Sequence, residues 1–258
     1  MSTVGKAISL LEHFTLKEPE IGLSDIARKS GLDKATARRL LVALAERRLI
    51  EQEPLSRRYR LGAGLSRLAR MRDAHLPFVR VAAPFVRELA LETGETVHLS
   101  EFSAGALLTV HVELSAKANR VSVDVGQILP LHGTASGIAF LAFSRPETVE
   151  ACFGKPLTAF TPHTMTSRDK VMEAVRLAAE RGYSRSAQGY EEGVHSVAAP
   201  ILGSDGFPLG TLAVASPVSR IDDAIADSQG QAACEAGRKI SAHLTGEQWH
   251  ASVPLRQR

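Results

Sequence analysis

The sequence predicts an α+β protein in two parts: a small, basic helical module, then a linker helix leading into a larger domain of antiparallel strands flanked by helices. Three observations carry this. Charge is unevenly divided: residues 1–72 hold 15 Lys and Arg against 8 Asp and Glu, a balance of +7, while the remaining 186 residues hold 16 against 20, a balance of −4. Apolar residues in the basic part recur at helical spacing. Beyond residue 95 the period changes to strand-like alternation broken by turn residues, with helical segments on either side.

The totals set the bounds. At 258 residues, 44% apolar and 23% charged, the chain can bury more than one core. No apolar run approaches the length needed to cross a bilayer. The N-terminus meets Glu12 and His13 too early for a secretory signal. Cys152 and Cys234 lack metal or redox spacing and fit buried thiols in a reducing cytoplasm. The nine histidines show no metal-ligand spacing, so neither metal nor cofactor is expected.

Val4, Ala7, Ile8, Leu11 and Phe14 predict an amphipathic helix over residues 3–15. In "LSDIARKSGL", Ser24 is expected to cap a short helix that buries Ile26 and Ala27 and ends at Gly31. Asp33 caps the next helix, where Ala37, Leu40, Leu41 and Leu44 share one face. That stripe fixes the helix and leaves Lys34, Ala35, Thr36, Arg38 and Arg39 projecting from its first two turns. Two helices about a tight glycine turn, the second with exposed donors, form a helix-turn-helix. Such a second helix enters the major groove, where arginine can grip guanine and a threonine methyl can touch thymine.

"RLIEQE" and "RRYRLG", joined by "PLS", alternate like a two-stranded wing carrying Arg57, Arg58 and Arg60. Arg57 and Arg58 at its tip suit phosphate contact. Tyr59 reads either as a DNA contact or, by preference, as packing beneath the wing. The cap, turn, cationic front, basic hairpin and +7 balance together point to double-stranded DNA as partner.

In the body, "GLSRLARMRDA" reads as the linker helix and "LPFVRVAAPFVRELALETG" as a second helix, with Pro84 a site for a bend. "ETVHLSEFS", "GALLTVHVEL" and "RVSVDV" read as strands, with Gly105 turning the first pair. "HGTASGIAFLAFS" starts a helix, and "SRDKVMEAVRLAAERG" is a helix ended by Gly182. "HSVAAPILGSDGFPLGTLAVAS" is a hairpin turned by "SDG", and residues 222–245 form a closing helix.

Catalysis finds little support. "HGTASG" brings His132, Thr134 and Ser136 together without the nucleophile elbow of a hydrolase, and no phosphate cradle is present. His98 and His111 read as hydrogen-bonded core histidines, and His195 as an open case. Small residues in "GTASG" and "EEGVHSVAAP" leave room instead for a small molecule between sheet and helices.

With both halves read, the chain resembles the IclR family of bacterial transcriptional regulators over nearly its whole length. The carrying stretches include "LSDIARKSGLDKATARRLLVAL", "ILPLHGTASGIAFLAF", "GVHSVAAPI" and "SPVSRI". The resemblance implies a winged helix-turn-helix domain (1–63), a linker helix (64–75) and a GAF-like α/β effector-binding domain with an antiparallel sheet (76–258). It also implies a cytoplasmic dimer or dimer of dimers on a palindromic operator. Thr36 and Arg39 match the recognition positions. Arg48 stands where many relatives end the helix with glycine, so another residue is expected to turn the chain into the wing.

By the same matching the effector pocket falls on Val121, Leu129, Ala135, Ser136, Ser186, Val194, Ser196, Ala213 and Ala215. Ala213 and Ala215 replace hydroxyls of some carboxylate-binding relatives, and the acids those carry near Gln188 and Gly189 are absent, with Glu191 and Glu192 nearby. The resemblance therefore implies a more apolar floor and an aromatic or largely apolar effector with one polar end at Ser136 or Ser196. Two alternatives stay open on the residues alone: an enzyme tethered to nucleic acid, and a DNA-binding protein that senses no metabolite.

Overall fold

The computed structural model describes residues 2–15, 17–75 and 77–246; Leu76 and residues 247–258, assigned above to the second domain, lie outside the described residues. The chain divides into two compact units, Met1–Leu76 and Pro77–Arg258.

The first unit runs α1 (Thr3–Leu11), β1 (Glu20–Ile21), α2 (Leu23–Ser30), α3 (Lys34–Glu46), β2 (Ile50–Gln52), β3 (Tyr59–Leu61) and α4 (Ala63–His75). Its core joins Leu10 of α1, Ile26 of α2 and the Leu40, Leu41 and Leu44 stripe of α3 to Ile50 and Tyr59. Helix α1 stops at Leu11, short of the expected residue 15. Phe14 leaves the helical path but is buried in the same core, whereas Val4 and Ile8, expected inward, are exposed. The apolar period located a buried side chain at 14, not a helical one.

Ser24 does not cap α2. Gly22 is the N-cap, without a side-chain bond, and Ser24 lies exposed inside the first turn. The other end is as expected: Gly31 adopts φ +67°, a left-handed conformation that glycine reaches without steric cost. The Leu32 N–H then reaches back to the Ala27 carbonyl at 3.1 Å. Asp33 caps α3, its carboxylate accepting from the Thr36 N–H at 2.9 Å.

The turn into the wing corrects the expectation at Arg48, which itself takes φ +59°. The Leu49 N–H bonds the Leu44 carbonyl (3.0 Å), and the Arg48 carbonyl accepts from the Gly64 N–H (2.7 Å). These bonds hold an L-residue in a conformation costing about 1–2 kcal/mol. The wing strands are shorter than read, with residues 53–58 forming the turn, and β1 adds a third strand in the order β1-β3-β2. A two-residue strand leaves no alternation for a sequence to display.

The second unit comprises α5 (Phe78–Thr93), β4 (Thr96–Ser103), β5 (Ala106–Glu113), β6 (Ile128–Leu129), α6 (Ala135–Ala142), α7 (Pro146–Cys152), α8 (Arg168–Arg181), β7 (Ser184–Ala187), β8 (Val194–Leu202), β9 (Pro208–Pro217) and α9 (Asp223–Thr245). The strands form one antiparallel sheet in the order β6-β5-β4-β9-β8-β7. Helix α5 runs unbroken through Pro84. With α9 it covers one face, over Val97, Leu99, Val197, Ile201, Leu212 and Val214. On the other face Ala135 and Ala139 of α6 meet Ala198 and Ala213, and α8 packs outside α6 through Val171 and Val175. Small residues set this spacing: a Cβ at Gly137 would lie 2.2 Å from the Leu131 carbonyl oxygen.

"RVSVDV" is not a strand. Residues 121–125 carry no ladder, and the Val121 carbonyl is taken by the Thr96 hydroxyl at 2.7 Å. Alternation there reflects a segment crossing one end of the sheet with Val121 buried. The elements β6, α7 and β7 are too short for a period to register in the sequence.

Candidate functional site

The front of α3 is a cationic surface supported from behind. Leu40, Leu41 and Leu44 are buried, while Lys34, Ala35, Arg38 and Arg39 are exposed and Thr36 is half-buried. Lys34, Arg38, Arg39 and Arg57 make no ion pair among the described residues, so their charge is free for a partner. The Asp33 carboxylate is held below its ordinary pKa, chiefly by the Thr36 N–H, and stays committed to the cap. On the wing Arg57 is exposed at the tip with φ +57°. Arg58, also exposed, donates to the Glu20 carbonyl at 2.5 Å, which ties it to β1. Arg60 is neutralised by Glu51 (3.4 Å) and Glu20 (3.9 Å). Tyr59 is 5% exposed and belongs to the core, so it is removed from the DNA-facing set.

The second unit holds a cavity of about 60 Å³ on the α6 side of its sheet. Eight of the nine residues matched above line it: Val121, Leu129, Ala135, Ser136, Ser186, Val194, Ser196 and Ala215. Ala213 does not. It is fully buried where α6 closes on the sheet against Ala135, Ala139 and Ala198.

The floor is less apolar than expected. His98, Ser122, Gln127, Thr134, Tyr190 and Glu191 also line the cavity. The β-register explains His98: it sits opposite Ala213, one row from the Ser186–Ser196–Ala215 row, on the same sheet face. Alternation placed His98 in a buried strand but gave no sign that its face opens onto empty space. Its Nδ1 lies 3.5 Å from the Ser100 hydroxyl, and burial pushes its pKa down to about 4, so the ring is neutral. Gln127 donates to the Tyr190 hydroxyl at 3.2 Å across the cavity. His195 faces elsewhere, and its buried Nδ1 has no partner among the described residues. His111 pairs with Glu113 at 3.3 Å rather than sitting in an apolar core.

The first turn of α6 supplies unmet donors. Thr134 caps it, donating to the Pro130 carbonyl (2.9 Å) and accepting from the Gly137 N–H (2.9 Å). The N–H groups of Ala135 and Ser136 and the Ser136 hydroxyl have no partner among the described residues, although both residues are 1% exposed. Buried donors at a helix N-terminus favour an acceptor or anion in the space they face. His132 points away, its Nε2 lying 2.9 Å from the Thr158 carbonyl, so His132, Thr134 and Ser136 form no nucleophile–base arrangement.

A helix-turn-helix with a cationic front on one unit and a polar-tipped cavity in the other are the two parts of a DNA-binding regulator. Comparison with known proteins agrees. Residues 3–54 match the IclR helix-turn-helix domain and residues 74–242 the bacterial transcriptional regulator IclR C-terminal domain. The HTH-type transcriptional regulator XynR of Escherichia coli is 29% identical over 247 residues, 95% of this chain and 97% of that protein. The crystal structure of an IclR-type regulator from Silicibacter sp. superposes with a TM-score of 0.81 at 38% identity, covering 98% of this chain and 100% of that one. An IclR homologue of Microbacterium hydrocarbonoxydans, crystallised with 4-hydroxybenzoate, shares the fold (TM-score 0.82, 24% identity, 94% and 99% coverage). The chain belongs to the IclR family of bacterial transcriptional regulators, with the family's DNA-binding helix-turn-helix in the first unit and its C-terminal domain in the second. Among the described residues no helix is long and apolar enough to cross a membrane.

Proposed function

We propose that the chain is a cytoplasmic, homo-oligomeric repressor of a catabolic operon, relieved by a compact ring-bearing effector with one acceptor end. The observation that carries the effector reading is the set of unpartnered donors at the start of α6, facing a cavity walled by Val121, Val123, Leu129, Val194 and Ala215. The walls favour an apolar body and the donors an acceptor at one end. The space has room for about four to six waters, which suits one substituted ring better than a long chain. The 4-hydroxybenzoate bound by the Microbacterium homologue makes it the first compound to try.

Oligomerisation is supported by apolar side chains that the first unit leaves uncovered: Val4 and Ile8 on α1, Leu68 and Met71 on α4. A two-fold pair of heads would read half-sites about 34 Å apart, or a multiple of that. Residues Lys34, Ala35, Thr36, Arg38 and Arg39 meet the groove, and Ser24, Arg57 and Arg58 the phosphates. Effector binding changes operator affinity only by its differential affinity for two states of the protein, about 1–3 kcal/mol. The test is fluorescence anisotropy on duplexes from upstream of its own and neighbouring genes, with and without single-ring acids, alcohols and amides. Salt-sensitive, sequence-preferring binding weakened by one ring compound is expected. Binding that responds only to small hydrophilic keto acids overturns the effector class.

A further inference from the structure

Among the described residues the cavity lining contains no Lys or Arg. Its one side chain able to become a cation is His98, which is 6% exposed. The imidazole Nδ1 is directed to the Ser100 hydroxyl (3.5 Å), and Nε2 has no partner among the described residues. We propose that His98 takes up a proton when the effector binds, so that the effector is a weak organic acid held as its anion beside an imidazolium that exists only in the complex. This rests on the single-ring reading above and deepens it by naming the acid.

The argument is one of charge compensation. An organic anion entering this cavity meets the Ala135 and Ser136 N–H dipoles and several hydroxyls, but no full positive charge. In the empty cavity His98 stays neutral because desolvation disfavours its cation and no charged group offsets that cost. Among the described residues around it, β4, β5, α6, β7, β8, β9 and residues 121–127 bring no other titratable group to the lining. The loop after β7 brings Tyr190, already bonded to Gln127, and Glu191, which is exposed at the rim. An anion beside His98 supplies the missing counter-charge and raises its proton affinity. The proton comes from solvent, and no covalent bond is made or broken. A neutral ligand of the same shape lacks this term, so the histidine selects acids over their amides.

The experiment is titration calorimetry of the full chain with benzoate, 4-hydroxybenzoate and 4-hydroxybenzamide, in two buffers of different ionisation enthalpy, at about pH 7 and about pH 5.5. Carboxylates should bind with net uptake of up to about one proton per site, and their affinity should rise by up to about tenfold per unit fall in pH. The amide should bind without uptake. His98→Gln should bind the carboxylates with affinity independent of pH, whereas His195→Gln, altered at a histidine outside the cavity lining, should retain the uptake. Carboxylate binding without uptake by the unsubstituted protein overturns the proposal, whether or not the variants fold, and so does uptake that persists in His98→Gln. Binding of the amide but of neither carboxylate removes the acid and leaves the ring effector standing. If no ring compound binds, both readings fall together.

Discussion

The two units place functional side chains in opposite ways. In the first, the residues proposed to meet DNA are mostly exposed and clustered on the front of α3 and the wing tip, and the cations among them on α3 make no ion pair among the described residues, while a separate leucine stripe supplies the fold. In the second, cavity residues from His98 to Ala215 are drawn from many segments, and several are both core and lining. A surface site can therefore be altered without touching stability. A cavity site cannot, because the side chains that read the ligand also close the sheet against α6.

The largest expected effect tests whether fold and function separate in the first unit. Leu41→Ala deletes a fully buried side chain of the α3 stripe and should destabilise that unit by about 2–5 kcal/mol, measured by urea unfolding. A loss confined to DNA affinity would show that the stripe is not what holds the helix.

Next is a pH effect that belongs to the second unit. His98 titrates near 6.5 when unfolded and at about 4 in the fold, so between those values the unfolded chain binds the extra proton. Its contribution is fully present above about pH 6.5 and is lost as pH falls towards 4, amounting to about 3 kcal/mol. Urea midpoints followed from neutral to acid pH should fall over this window and fall less in His98→Gln. Equal slopes for the two proteins would place the titrating group elsewhere.

Arg39→Ala sharpens the contrast from the surface side. It should cost about 1–3 kcal/mol of operator binding if the arginine reads a base, with the melting temperature unchanged; an unaltered affinity takes Arg39 off the interface. Smallest is Arg48→Gly, which relieves a left-handed arginine at some cost in unfolded-chain entropy and should stabilise by about 0.5–1 kcal/mol. Destabilisation there would mean the guanidinium or its stem makes a contact that outweighs the backbone strain.

What could be read from sequence follows the same division. Helix α3 was legible at its start and α8 at its end, because Asp33 and Gly182 act on N–H or C=O groups within a turn of themselves, and the bounds 222–245 read for the closing helix match α9. The hairpins at Gly105 and "SDG" were legible for the same reason. Elements of two to seven residues (β1, β7, α7) were not, since a period needs length to show. Ser24 misled because a capping residue type lies inside the first turn of a helix whose cap is Gly22, and Arg48 because the backbone makes the left-handed turn there without glycine.

Alternation misled at residues 121–125, which alternate without pairing, because it reports which side of the chain is buried and not what buries it. The family resemblance misled at Ala213, which faces the cavity side yet is sealed by α6. His98 was legible as a buried histidine and illegible as a wall of the site.

The sequence by itself determined the local structure: helix faces, caps, turns, the division of charge and the row of free cations on α3, all set by interactions a few residues apart. Only the tertiary structure decided where empty space remained. A cavity is the volume left when α6, the sheet and two crossing segments have packed, and that depends on contacts more than a hundred residues apart in the chain.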